Sequence, residues 1–225
     1  MGEGIGEVLS FAVGVAISPI PIISVILMLF SQRARVNGAL FLAGWVLALT
    51  IVSVVAYVVA DQSNAPTSST TSDTISWGKI LFGVLFLFLA VREYRSRPAP
   101  GTEPEMPKWM AGIDAFTTGK AFAIGALLAG LNPKNLILTL GAATGLAQVG
   151  LSTTDAAVSL AVFVVVASLT IVVPVVYYLL GGEHAKAELD SMKDWLAGHN
   201  AAVMAVLFLV FGVDLIAKGI PPLTN

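Results

Sequence analysis

The chain has 225 residues, of which 56% are hydrophobic and 12% charged, with a net charge of −2. Soluble domains carry roughly 25% charged residues, so this composition excludes an ordinary water-soluble protein and points to a membrane. The basic residues form no groove-sized patch, which excludes nucleic acid as a partner, and the lack of cysteine excludes disulfides, thiolate metal ligands and a dithiol relay.

Six apolar stretches follow in chain order: Val8 to Phe30, Gly38 to Ala60, Trp77 to Val91, Ala121 to Leu146, Ala156 to Gly182 and Ala201 to Val213. Most reach the roughly 20 residues that a bilayer requires, and each is read as a transmembrane helix. The first lacks a basic leader and is too long for the apolar core of a signal peptide, so it is expected as a mature helix. It is interrupted by Ser18-Pro19-Ile20-Pro21. Proline has no amide proton and clashes with the preceding turn, which frees carbonyls that hydrocarbon cannot satisfy.

Asp61 to Ser76, rich in Ser, Thr and Asn, reads as an outer loop of low order. The third and sixth stretches are short, and Lys79, Arg92 and Lys218 near their ends lengthen them by snorkelling. Glu93, between Arg92 and Arg95, reads as an interfacial ion pair or as a proton relay. Arg97 to Pro107 carries four prolines and reads as a semi-extended cytoplasmic spacer. Trp109, Ile113 and Phe116 then fall at i, i+4 and i+7, the pattern of a short interfacial helix. The fourth stretch is interrupted by Asn132-Pro133-Lys134-Asn135. Before the sixth, Leu189, Met192 and Leu196 form a similar stripe, read as a surface helix or a gating element.

Arg33, Arg35, Arg92, Arg95, Arg97, Lys108, Lys120, Lys186 and Lys193 lie in loops on one side, against Lys79 and Lys218 on the other. Positive charge is retained in the cytoplasm, so both termini are expected outside a multi-pass plasma-membrane protein.

The two halves repeat. Leu49-Thr50-Ile51-Val52 recurs as Leu169-Thr170-Ile171-Val172 at a shift of 120, which also carries Tyr57 onto Tyr177, and Leu85-Phe86-Leu87 recurs as Leu207-Phe208-Leu209 at a shift of 122. Pro21 falls on Pro133 at a shift of 112. Residues 1–95 form the first repeat, 96–118 the linker and interfacial helix, and 119–225 the second. Three helices per half is odd, so the halves are expected to be inverted in the membrane, with broken helices 1 and 4 meeting at a central site. Pro19, Pro21 and Pro133 are the expected hinges.

Lys134 is the charge that most demands a reason, since a central lysine costs roughly 2.5–3.5 kcal/mol on insertion scales. Either it receives an anionic head group together with Asn132, Pro133, Asn135 and Ser18, or it pairs permanently with Asp214. Asp214 is also a proton-coupling candidate, as is Glu93, because a desolvated carboxylate binds protons more readily. Ser24, Thr50, Ser53, Thr139 and Thr170 are further hydroxyls that line a path or bond back to their own helices. His184 and His199 make no metal motif, and no phosphate-loop, zincin or nucleophile-elbow pattern occurs. No catalytic residue, metal or cofactor is expected, and the chain does not read as an enzyme.

Ser18-Pro19-Ile20-Pro21, Arg92-Glu93-Tyr94-Arg95-Ser96-Arg97-Pro98, Pro107-Lys108-Trp109-Met110 and Asn132-Pro133-Lys134-Asn135-Leu136 together resemble the actinobacterial peptidoglycolipid-addressing (GAP) family of the lysine-exporter superfamily. The resemblance spans nearly the whole chain. It implies six helices from a three-helix duplication and export of an amphiphilic, anionic envelope lipid. Membrane lipids are then the expected partners, with envelope-lipid biosynthesis or transport proteins and a second copy of the chain beside them. Export of a small polar solute such as an amino acid, or a scaffold for envelope biosynthesis, are the alternatives.

Overall fold

Prolines at two positions cut two apolar stretches into four helices. The computed structural model describes residues 1–63, 70–97 and 117–220, and among these it is all-α. Its eight helices are α1 (Gly2–Ala16), α2 (Pro19–Phe30), α3 (Ala34–Ser63), α4 (Thr70–Arg95), α5 (Thr118–Gly130), α6 (Pro133–Gln148), α7 (Thr153–Gly181) and α8 (Glu183–Gly219). Among the described residues, α3, α7 and α8 are long and apolar enough to cross a membrane, and the count rises to five if each bent pair is one span. The bent pairs are α1–α2 and α5–α6, and each turns by 56° at its break. The long helices α3, α4 and α7 hold large apolar side chains outward, as with Val59, Leu81, Phe88 and Leu180, each at least 60% exposed. A soluble protein hides such groups; a lipid-facing one displays them.

Several boundaries differ from the sequence expectation. α3 runs through Asp61 to Ser63 and α4 starts at Thr70, so the segment expected as an outer loop is helical at both ends. Hydroxyl residues weaken a helix without stopping it, and no proline interrupts Thr70 to Ser76. α8 is likewise continuous through Gly198-His199-Asn200, which joins the Leu189–Leu196 stripe to the sixth stretch. Leu189 and Leu196 are buried, while Met192 is exposed. α7 and α8 are separated by Gly182 at φ +55°, a backbone state that side chains rarely adopt. Trp109, Ile113 and Phe116 lie outside the described residues.

The chain forms two compact units, Met1–Asn64 with Glu105–Ala197, and Ala65–Pro104 with Gly198–Asn225. In the first unit the buried face of α3 carries Phe41, Trp45, Leu49 and Ser53, spaced by four residues. α3 and α5 approach until their backbones touch. A Cβ on Gly44 would stand 2.1 Å from the Phe122 carbonyl oxygen, and one on Gly125 would stand 2.1 Å from that of Phe41. The start of α8 belongs to this unit too. The Tyr177 hydroxyl donates to the Glu188 carboxylate, and Lys193 Nζ lies 5.9 Å from the Phe30 ring centroid.

The second unit pairs α4 with the rest of α8. Phe86 and Phe208 stack at 5.2 Å between centroids. A Cβ on Gly83 would lie 2.8 Å from the Gly212 carbonyl oxygen, so small residues again let two helices close up.

Candidate functional site at the two helix breaks

Each break answers the same accounting problem: the end of one helix leaves carbonyls without donors, and the start of the next leaves amides without acceptors. Proline at the first helical position removes one of those amides. Pro19 occupies this place in α2 and Pro133 in α6. The structural counterpart of Pro133 is therefore Pro19, not Pro21, which lies inside the first turn of α2 and removes a second donor there. At α6 the Lys134 amide instead donates to Asn132 Oδ1 at 3.1 Å.

The carbonyls of the first break are met by three side chains. Val15 O accepts from Ser18 Oγ at 2.7 Å, Ala16 O from Thr170 Oγ1 at 2.6 Å, and Ile17 O from Lys134 Nζ at 2.8 Å. Lys134 Nζ also donates to Ser18 Oγ at 2.6 Å. At the second break, Leu128 O accepts from Asn135 Nδ2 at 3.0 Å, while Asn135 Oδ1 lies 3.0 Å from Ser18 Oγ. The single Ser18 proton serves either Val15 O or Asn135 Oδ1. The structure thus brings Ser18, Lys134 and Asn135 together, all less than 10% exposed, with Asn132 and Pro133 shaping the turn behind them.

The electrostatics of this cluster are one-sided. Lys134 Nζ sits at the C-terminal end of α1, where free carbonyls carry partial negative charge. No carboxylate of the same unit, among the described residues, forms an ion pair with it. Two of its three N–H bonds are directed at neutral oxygens, those of Ile17 and Ser18.

Asp214, the proposed alternative partner of Lys134, is engaged one turn along α8 by Lys218 at 3.2 Å. Glu93 is half-buried near the end of α4, and among the described residues its carboxylate forms no ion pair with Arg92 or Arg95. Ser24, Thr50 and Ser53 bond back to carbonyls of their own helices, at 2.6, 2.7 and 3.0 Å. Thr139 Oγ1 is buried and has no hydrogen-bond partner among the described residues.

Thr170 is the member of the cluster that no sequence signal placed at the break. Its repeat mate Thr50 was visible, but Thr50 bonds within its own helix whereas Thr170 crosses to the break. Thr170→Val is expected to destabilise the first unit by about 1 kcal/mol, the scale of an interhelical hydrogen bond in a membrane. Thermal unfolding in detergent checks this, and an unchanged midpoint would show that water replaces the hydroxyl.

Apolar helices, two of them pairs bent at proline, and a buried lysine tying the bends together define an α-helical membrane protein. The model of one protein family, described as Sap, sulfolipid-1-addressing protein, matches residues 8–221, and the chain belongs to that family. The resemblance to the peptidoglycolipid-addressing family is borne out at that level. No curated protein and no solved structure matches the chain.

Proposed function

We propose that this protein is a secondary exporter or flippase of the lysine-exporter type, carrying an amphiphilic, anionic envelope lipid outward across the plasma membrane. The observation that carries the reading is that Lys134, from the second half, closes the broken helix of the first half with no ion-paired carboxylate among the described residues of its unit. A lysine is costly in a membrane and persists where it faces a pathway or a partner. An anionic head group supplies the missing charge.

The architecture we infer for such an exporter has six spans in two inverted repeats, with α1–α2, α3 and α4 in one and α5–α6, α7 and α8 in the other. The equal 56° bends and the matched prolines support it. So does the make-up of the compact units, since each half gives its broken and second helices to one unit and α4 or the greater part of α8 to the other. In this reading both termini are extracytoplasmic, Pro19, Pro21 and Pro133 permit the bends to change, and Asp214, with Glu93 as second candidate, exchanges protons.

Lipid profiling of inner and outer envelope fractions, with and without the gene, tests the proposal. Loss of the gene is expected to leave one anionic lipid class in the inner fraction and deplete it from the outer. An unchanged lipid distribution, with efflux of a labelled amino acid restored by the gene, would overturn the lipid reading.

A further inference from the structure

Between α3 and α7, within the first unit, lies a groove of about 460 Å³. Its walls are paired at helical spacing: Val54 and Val58 on α3 face it, as do Ala157 and Ala161 on α7. Buried Ser53 and Leu160 form the floor, whereas Val58 on the wall is 43% exposed, so the groove is a slot open along one side. The two alanines make the width, since any longer side chain at those positions would fill it.

The chemistry of the lining is hydrocarbon despite its hydroxyl residues on α3. Thr50 Oγ1 donates to Val46 O and Ser53 Oγ to Thr50 O, so these two hydroxyls are turned into the helix backbone, and Tyr57 on α3 and Thr153 on α7 are the other hydroxyl residues of the lining. Water entering the slot would find few partners there, and a polar solute fewer still.

The inner end of the slot adjoins the breaks. Ala48 and Val52, neighbours of Thr50 along α3, pack on Gly130, where a Cβ would stand 3.6 and 3.5 Å from them. Gly130 ends α5, immediately before the second break. On the other wall, Val165 is five residues from Thr170, about 8 Å at helical rise, and Thr170 is bonded to Ala16 at the first break. The end of the slot at Thr50 and Val165 thus lies within two turns of helix of residues that contact both breaks.

We propose that the α3–α7 groove is a binding site for one acyl chain of a lipid whose anionic head group meets Lys134. This inference rests on the lipid-export reading and assigns to it the place where the tail is recognised. Both walls belong to membrane-crossing helices, so the chain enters sideways through the open face while the head stays at the breaks.

The test uses the full chain reconstituted in phosphatidylcholine vesicles with a trace of phosphatidylglycerol bearing a diazirine in its acyl chain. After irradiation, labelled peptides are located by mass spectrometry. Labelling of Val54–Val58 and Ala157–Val165 is expected to exceed that of lipid-facing Leu81 and Phe88 by about fivefold, the equilibrium effect of roughly one buried methylene. Ala161→Trp, and independently Val58→Trp from the other wall, should remove the excess while labelling of α4 stays unchanged. Phosphatidylcholine with the same diazirine chain should label the groove about fivefold less, because its choline cation offsets the phosphate charge that phosphatidylglycerol presents to Lys134. Equal labelling of groove and α4, or of the groove by both head groups, overturns the proposal. Background labelling in a protein that still exports lipid sinks the groove and leaves the export reading standing. Groove labelling with both expected preferences, in a protein that moves no lipid, does the reverse.

Discussion

Lys134→Met is expected to reduce lipid export at least about tenfold, the factor that corresponds to the low end of a hydrogen bond to a charged group. Methionine keeps the length and most of the volume of the side chain but removes the charge and every donor. Two consequences follow, and they separate. The Ile17 carbonyl loses its partner, which costs about 1–3 kcal/mol of stability. The anionic head group loses its counter-charge, which stops transport even in protein that remains folded. Export per folded molecule, measured in vesicles loaded with fluorescent anionic lipid, is therefore the informative quantity. A loss of export that only tracks the loss of folded protein would assign Lys134 to structure. Lys134→Arg should not restore export, because the site is shaped around one nitrogen bonded to two oxygens, at 2.8 and 2.6 Å, and the guanidinium is a broad plane.

Gly125→Ala is expected to destabilise the first unit by about 3 kcal/mol, at the upper end of overpacking costs. The atom that an added methyl would meet is the Phe41 carbonyl oxygen, at 2.1 Å, and not a side chain that can swing aside. Relief requires α3 and α5 to separate along their length. Gly44→Ala meets the Phe122 carbonyl oxygen at the same distance and should cost about as much. Because both act by parting the same two helices, the double variant is expected to lose less than the sum, by at least about 0.5 kcal/mol. Thermal unfolding of the single and double variants in detergent decides this. Full additivity would mean that the two contacts yield independently.

How much of this could be read from the residues depends on the kind of signal. The breaks were legible because proline acts through its own covalent structure, which no tertiary context repeals, and both appear where Ser18-Pro19 and Asn132-Pro133 announce them. The register between them was read two residues off. Pro19 and Pro21 are equally visible in sequence, and the helix cap that distinguishes them is not. Lys134 was legible as a charge out of place, but its partners were hidden, because a freed carbonyl such as that of Ile17 has no residue-type signature. Gly44 and Gly125 each close a Phe-x-x-Gly run, and that shared pattern was available. Nothing in a single chain told that α3 and α5, which are not consecutive, would be the helices to press those runs together. The extra turns of α4 and the unbroken α8 were missed for the opposite reason: polar composition at Thr70 to Ser76 and at His199-Asn200 mimics a loop, yet neither contains a residue that forbids a helix.

The first break has a consequence for how the protein is made. Two of its three carbonyl partners, Lys134 and Thr170, are encoded more than 100 residues after Ile17. Ribosomes add about 5–20 residues each second, so the Ile17 carbonyl waits on the order of ten seconds before its donor exists, whereas Ala16 O has the Ser18 amide close by in the chain. During that interval the first span belongs in a place that can hydrate or shelter polar backbone, such as the interior of an insertion channel or against a membrane chaperone. The second break differs in this respect, since Asn135 follows Leu128 by only seven residues and satisfies it locally. The two breaks therefore share a 56° bend but differ in how far along the chain their backbone partners are encoded.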